Sequence, residues 1–350
     1  MSGFLTLGIE TSCDDTAVAV VRNGWEVLSE LLSSQARDHA PFGGVVPEFA
    51  ARRHLETLLP LVDAALREAG VSGRELSLIA VTRGPGLMGS LLVGVEAALA
   101  LSQAWGVPVL GVNHLEGHLF ASLSESGPTP PFLSLIVSGG HTEIVQVDAF
   151  GRYILLGATR DDAAGEAYDK VAKVMGLGYP GGPEIDRLAD KGNSSAFAFP
   201  VPLKNTNRVE FSFSGLKTAL LQQVEKIKKE TGGVLPPEAL PHLCASFQRA
   251  VTEALLTKTV LAVQMTGIKT VTASGGVAAN SALRRALSEV SDLRIFLPSP
   301  PRCTDNAVMI ASAGYSAWTR GVRPSSRLTA DPSLFQFTTT HGKLRANASK

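Results

Sequence analysis

Cysteine is scarce: Cys13, Cys244 and Cys303 are the only three in 350 residues, far apart and without a CxxC pair. That excludes a disulfide framework and fits a reducing compartment. Net charge is also lacking, since 32 Lys and Arg are balanced by 32 Asp and Glu. A nucleic acid would have to be met by a local basic face or through a partner protein. The first residues enter a strand pattern with no charged and apolar leader ahead of it, so no signal peptide is expected. The most apolar stretch, Leu87 to Trp105, carries Glu96 and several small residues, which reads as a buried core helix rather than a membrane span. The expectation is a cytoplasmic chain with no membrane partner. An apolar content of 45% against 18% charged residues leaves little room for long disorder, and the length is natural for two domains.

The chain opens on a strand pattern, Phe4 to Glu10, followed by the polar turn Thr11-Ser12-Cys13-Asp14-Asp15-Thr16. A second strand, Ala17 to Arg22, meets Asn23-Gly24, a strong hairpin signal, and Trp25 to Leu32 returns as a third. Helical periodicity from Phe49 to Gly70 predicts a helix kinked at Pro60. Leu76 to Thr82 and Val107 to Val112 read as strands around a glycine-rich turn and the apolar helix. A Ser-, Pro- and Gly-rich stretch, Ser124 to Pro131, marks the boundary between a lobe at 1–127 and a second at 128–330. There the pattern restarts. Phe132 to Val137, Glu143 to Val147 and Tyr153 to Ala158 form another three-strand meander, its first turn being Ser138-Gly-Gly-His-Thr142. Helices and two further strands follow, Thr304 is expected to cap a helix running to Trp318, and residues 331–350 read as a disordered tail.

Two histidines, His114 and His118, stand four apart in Asn113-His-Leu-Glu-Gly-His-Leu119, directly after a strand. On a helix both imidazoles project from one face and can share a divalent metal, with a carboxylate from elsewhere completing the site. The late polar turn Thr304-Asp305-Asn306 is a candidate source of that carboxylate. The zinc-protease motif is excluded, because it places its glutamate directly after the first histidine, whereas Glu116 is two residues on.

The two meander turns and a third glycine-rich turn, Ser274-Gly-Gly-Val-Ala-Ala-Asn280, are suited to backbone approach to phosphate oxygens. Two halves facing each other would hold a nucleotide in a central cleft. Cys13 is a poor nucleophile on paper, since a thiol beside Asp14 and Asp15 resists ionisation. Asp14 is better suited to orienting a metal-bound water or a substrate hydroxyl. Arg52, Arg53, Lys226, Lys228 and Lys229 are candidates for phosphate contacts.

The turn pattern resembles the superfamily of actin, the heat-shock ATPases and the sugar kinases, an α/β fold with duplicated ribonuclease H-like lobes. The particular motifs resemble the TsaD family of tRNA threonylcarbamoyltransferases. They are Gly8-Ile-Glu-Thr-Ser-Cys-Asp-Asp-Thr16, Gly84-Pro-Gly-Leu87, Asn113-His-Leu-Glu-Gly-His118, Val137-Ser-Gly-Gly-His141, Asp161-Asp-Ala-Ala-Gly-Glu-Ala-Tyr-Asp-Lys170, Tyr179-Pro-Gly-Gly-Pro183, Phe211-Ser-Phe-Ser-Gly-Leu-Lys217, Ser274-Gly-Gly-Val-Ala-Ala-Asn280 and Cys303-Thr-Asp-Asn306. They run in order along nearly the whole chain. Asp15 departs from the pattern, many members carrying glutamate there.

The resemblance implies that His114, His118 and Asp305 bind one divalent metal, iron or zinc, with magnesium accompanying a nucleotide. It implies that Val137, Ser138, Gly139, Gly140 and His141 meet the acyl-phosphate end of the substrate, and that Asp169, Gly182, Asp186 and Asn280 hold its nucleoside. Asp14 and His141 are the catalytic candidates. The implied reaction moves a threonylcarbamoyl group from threonylcarbamoyl-AMP to the adenosine 3′ of the anticodon. The implied partners are tRNA, threonylcarbamoyl-AMP or ATP and ADP, a paralogue of the TsaB type and an ATPase of the TsaE type. Three other readings compete. A small-molecule kinase explains the paired turns but not the histidines, a metalloprotease explains the histidines but not the turns, and a nucleotide-switched module needs no transition metal.

Overall fold

The computed structural model describes residues 3–123, 127–325, 327–335 and 337–339; of the expected linker, residues 124–126 lie outside this set, as do residues 340–350 of the expected tail. The chain divides into two compact units. The first comprises residues 1–130, 148–153 and 305–350, and the second comprises residues 131–147 and 154–304.

In the first unit, β1 (Leu5–Glu10), β2 (Asp15–Arg22) and β3 (Glu26–Ser34) form the expected antiparallel meander. Asn23 and Gly24 both take positive φ, 52° and 82°, which matches the right-handed twist of a tight hairpin. Next come α1 (Ala36–His39), α2 (Pro47–Ala69), β4 (Leu78–Gly84), α3 (Met88–Trp105), β5 (Val109–Asn113) and α4 (His114–Phe120). The sheet order is β3-β2-β1-β4-β5, with β4 parallel to both β1 and β5. The helix α2 is a single 23-residue element with Pro60 inside it. Only one side of α3 is buried, through Ser90, Leu91, Gly94, Val95 and Ala98, while Met88 and Leu92 are exposed. It has the length and apolar composition to cross a membrane, but in this unit its buried side packs on α2 and β4.

The second unit repeats the plan with β6 (Phe132–Val137), β7 (Thr142–Ala149), β8 (Arg152–Ala158), α5 (Ala164–Val174), α6 (Gly181–Ala189), α7 (Ser214–Glu230), α8 (Ala239–Thr266), β9 (Thr270–Ser274), α9 (Ser281–Ser288), β10 (Arg294–Phe296) and α10 (Pro300–Cys303). The strands of this unit run β8-β7-β6-β9-β10, with β6 antiparallel to β7 and parallel to β9, and a two-residue sixth strand, Thr338–Thr339, extends the sheet beside β8. Over these five strands the order is that of the first sheet, so the restart read in the sequence is a true duplication. The core of this unit gathers Leu133, Leu135 and Val137 of β6 around Tyr168, Phe213, Phe247 and their neighbours.

Two differences from the sequence reading concern the end of the chain. Helix α11 (Ala307–Thr319) returns to the first unit and packs on β1, β2 and β4. Side chains alternate faces along a strand, so Leu7, Ile9, Val18 and Val20 meet α2 and α3 while Ala17, Ala19 and Val21 meet α11. The α11 side is lined by small residues because the helix backbone comes very close. A Cβ on Gly8 would lie 2.2 Å from the Ala307 carbonyl oxygen. Gly8→Ala should therefore push α11 off the sheet and cost roughly 1–3 kcal/mol, read as a lowered thermal midpoint. An unchanged midpoint would show that the contact relaxes freely.

The second difference is the expected disordered tail. Asp331 N donates to the Arg83 carbonyl at 2.7 Å, Asn113 Nδ2 donates to the Leu334 carbonyl at 3.3 Å, and Phe337 is buried edge-on against Tyr153. Gly84 makes room for this strap, since a Cβ there would lie 1.8 Å from the Asp331 carbonyl oxygen. The segment has no periodicity to read because it is held by backbone hydrogen bonds and one ring.

Candidate metal centre and nucleotide pocket

The metal candidates lie where β5 runs into α4. Asn113 ends the strand and caps the helix, its Oδ1 accepting from Leu115 N at 2.8 Å and Glu116 N at 3.2 Å. Both histidines are thereby fixed on the first turn and a half of a fully buried helix. Gly117 faces α11, where a Cβ would meet Ile310 Cδ1 at 2.7 Å, so the two helices lie in close contact. The residue that caps α11 is Asn306, accepting from Met309 N at 2.9 Å; the expected Thr304 instead donates to the Pro301 carbonyl. Asp305 sits just before that cap and is delivered to the histidines.

The result is a tight donor set. The ligand atoms of His114, His118 and Asp305 all lie within 4.8 Å of one another. Asp305 Oδ1 is 3.5 Å from His114 Nε2 and 3.3 Å from His118 Nε2, and the two rings are 4.7 Å apart. Both ring nitrogens of His118 are buried without a hydrogen-bond partner, and a cation bound with His114 and Asp305 would satisfy one of them. Glu10 Oε2 lies 3.0 Å from His114 Nδ1. Burial works against a charged His114, yet Asp305 and Glu10 hold its imidazole up to about 9, so this pocket favours positive charge. Glu116 takes no part. Its Oε1 accepts from Tyr153 Oη at 2.7 Å and Arg320 Nη2 at 3.3 Å, on another side of α4.

The turn after β1 carries Asp14, which is half-buried. Burial, with Asp14 and Asp305 beside it, pushes the Cys13 thiol well above its usual range, in keeping with the reading that it is no nucleophile. Burial raises Asp15 to about 7, with Asp14, Asp305 and Glu10 adding to it and the Ser34 hydroxyl opposing.

The second unit holds a cavity of about 320 Å³ lined by Gly139, Asp169, Gly182, Asp186 and Asn280 among others. Five of the residues expected to bind the substrate are thus brought together. The turn Val137 to His141 is closed by Ser138 N donating to the His141 carbonyl at 2.8 Å and His141 N donating to Ser138 Oγ at 3.1 Å. A Cβ on Gly139 or Gly140 would meet nothing within 4 Å, so this turn presents open backbone. Val137 can offer only its backbone, because its side chain is in the core. Ser138, Gly140 and His141 form the turn without lining the cavity.

Asp169 Oδ1 accepts from Gly181 N at 2.7 Å and so fixes the start of α6. Asp186 is the hub of the pocket. Its Oδ1 accepts from Gln248 Nε2 at 2.9 Å, Asn280 Nδ2 at 3.0 Å and Ser281 Oγ at 2.8 Å, and its Oδ2 accepts from Ser281 N at 3.0 Å. Gln248 Oε1 accepts from Asn280 Nδ2 at 2.7 Å. Sequence reading missed Gln248, Ser281 and Glu10. Gln248 sits on the long amphipathic α8 and looks like an interrupted core position. Of the basic candidates, Arg53 is engaged with Asp38 and Glu56, whereas Arg52, Lys226 and Lys229 are exposed.

Two units with one strand order, each with a short polar turn after its first strand and glycines in the second of these turns, define an actin-like ATPase fold. The same fold is found in HypF from T. kodakarensis, at a TM-score of 0.62 and 16% identity, covering 91% of this chain and 48% of HypF. It is found too in component A of the (R)-2-hydroxyglutaryl-CoA dehydratase of Acidaminococcus fermentans, at a TM-score of 0.53 and 16% identity over 90% of this chain and 99% of that one. Residues 26–312 match the family described as TsaD, tRNA N6-adenosine threonylcarbamoyltransferase. The proteins of that name from Geobacter metallireducens and Symbiobacterium thermophilum are 52% and 50% identical, over 93% and 95% of this chain and 95% and 97% of theirs. The chain belongs to the TsaD family: it is a transferase that modifies tRNA.

Proposed function

We propose that the enzyme transfers the threonylcarbamoyl group of threonylcarbamoyl-AMP to N6 of the adenosine 3′ of the anticodon, in tRNAs reading codons that begin with A, and releases AMP. The convergence of His114, His118 and Asp305, with their ligand atoms within 4.8 Å of one another, carries this reading over the kinase alternative. Phosphoryl transfer on this fold needs hydrated magnesium, and magnesium prefers oxygen ligands. Two imidazoles with one carboxylate suit iron or zinc. A metal held there supplies Lewis acidity toward a phosphate or carbamoyl oxygen.

The chain's own groups do the rest. Asp186 and Asn280 set the nucleoside end of the adenylate in the second unit's cavity, and Asp169 shapes its rim through Gly181. The backbone N–H groups of Gly139 and Gly140, within the Ser138 to His141 turn, are donors for phosphoryl oxygens. N6 attacks the carbamoyl carbon, the bond from that carbon to the AMP oxygen breaks, and N6 gives up a proton. His141 is assigned to that proton and Asp14 to orienting the threonyl hydroxyl. An exocyclic amine is a weak nucleophile, so positioning supplies much of the acceleration. When ATP or ADP fills the cavity, magnesium accompanies it. The setting is the cytoplasm.

A paralogue of the TsaB type and an ATPase of the TsaE type complete the system. The exposed side of the α2–α3 pair supports the first: Leu55, Leu59 and Leu92 are exposed around a groove floored by Leu58 and Val93, and Met88 is exposed at the start of α3. Replacing Leu55 and Leu59 together by aspartate should weaken paralogue binding about 100-fold by calorimetry, with little change in thermal midpoint. Unaltered affinity would place the interface elsewhere.

The reaction is tested with labelled threonylcarbamoyl-AMP, unmodified tRNA and this protein with its partners. Label should pass to tRNA as AMP appears. If the label stays off the tRNA while ATP phosphorylates a small molecule, the kinase reading replaces this one.

A further inference from the structure

We infer that Glu10 is the positioning residue of the metal centre: it sets the ring orientation and tautomer of His114 so that Nε2 presents its lone pair beside His118 and Asp305. The inference rests on the metal assignment made above.

Glu10 ends β1 and its side chain is fully buried. Each of its oxygens is engaged. Oε1 accepts from Ser12 N at 2.5 Å, and Oε2 accepts from Thr82 Oγ1 at 2.6 Å and from His114 Nδ1 at 3.0 Å. The register explains the meeting. β1, β4 and β5 lie side by side and parallel, with Ile9 opposite Val81 and Thr82 opposite Val112, so Glu10, Thr82 and the start of α4 come together at one end of the sheet. Sites on such sheets gather at the carboxyl ends of parallel strands.

An ionised carboxylate is an acceptor only. The Thr82 hydroxyl and the Ser12 amide already supply donors to it, so the proton shared with His114 belongs to the imidazole and resides on Nδ1. Nε2, 3.5 Å from Asp305 Oδ1, is the nitrogen left to present a lone pair to a metal. Glu10 itself is no ligand, because both of its oxygens are turned to these three donors. A carboxylate behind a metal-binding histidine holds its ring and raises its basicity, and loss of such a partner lowers metal affinity by roughly 10–100-fold. Thr82, also fully buried, holds Glu10 in turn.

The test measures binding of Co²⁺ and Zn²⁺, added alone to the metal-stripped full-length protein, by competition against a chromophoric chelator. Glu10→Gln keeps the size of the side chain but offers His114 Nδ1 a donor in place of the carboxylate, leaving the Ser12 hydroxyl, 3.2 Å from Nδ1, as the weaker acceptor for the ring proton and favouring its move to Nε2. Affinity should fall roughly 10–100-fold. The visible spectrum of the Co²⁺ form at saturation should change as well, a readout that a loss of stability alone does not move. Thr82→Val, which removes only the hydroxyl behind Glu10, should give a smaller fall in the same direction, and it carries the test if Glu10→Gln does not fold. Wild-type protein that binds neither ion overturns the metal assignment. Tight wild-type binding with unchanged affinity and spectrum in a folded Glu10→Gln, or in Thr82→Val if that is the variant that folds, overturns the positioning role and leaves the metal assignment standing.

Discussion

Alanine at His114 and His118 together is expected to empty the metal centre and to cut threonylcarbamoyl transfer by about a thousandfold, while the protein stays folded. A Lewis acid contributes several kcal/mol to such a step, and each 1.36 kcal/mol is a factor of ten, so a loss of about 4 kcal/mol gives this figure. The fold should survive because α4 is held by other groups. Asn113 caps it, and Glu116 is anchored by Tyr153 and Arg320. Replacing His118 also removes two buried nitrogens that have no hydrogen-bond partner, which relieves a cost as well as opening a small void. Elemental analysis of the purified variant should find no iron or zinc, and the thermal midpoint should stay within a few degrees of the metal-free wild type. Full metal occupancy in the double variant would sink the assignment.

What the sequence disclosed and what it concealed divide along sequence distance. The spacing of His114 and His118 is a local fact about a helix, and it could be read directly. So could the two meanders, because hairpin chemistry at Asn23-Gly24 and period-two alternation are local. The return of α11 to the first unit is not local. It depends on Gly8 admitting a helix some 300 residues later, and a lone glycine in a strand carries no address. Asp305 was legible as a carboxylate in a polar turn, yet its delivery to the histidines follows from that return. Glu10 and His114 are 104 positions apart, and Asp186 and Asn280 are 94 apart. Such pairings are set by strand register and helix packing rather than by any pattern in either segment. The strap after Asp331 escaped for another reason, since backbone hydrogen bonds leave no mark on side-chain periodicity.

Asp186 and Asp305 should separate the two halves of the chemistry. Asp186→Ala removes the acceptor shared by Gln248, Asn280 and Ser281, three groups packed around one carboxylate. A buried donor left unsatisfied costs about 1–3 kcal/mol, so the three will rearrange rather than stay in place. Asn280 then loses the orientation in which it faces the cavity, although its Oδ1 still caps α9 through Leu283 N. Affinity for AMP should fall about 100-fold, the equivalent of roughly 2.7 kcal/mol. Metal content should be unchanged, because every residue of the proposed metal site belongs to the first unit. Asp305→Ala should do the reverse, keeping AMP affinity near wild type while metal and transfer are lost. Asp186→Asn keeps one acceptor oxygen and should fall between wild type and alanine. Calorimetry with AMP and elemental analysis on the same preparations give both numbers for each variant. If Asp186→Ala lost its metal while AMP bound as before, the division of labour between Asp186 and Asp305 would be refuted.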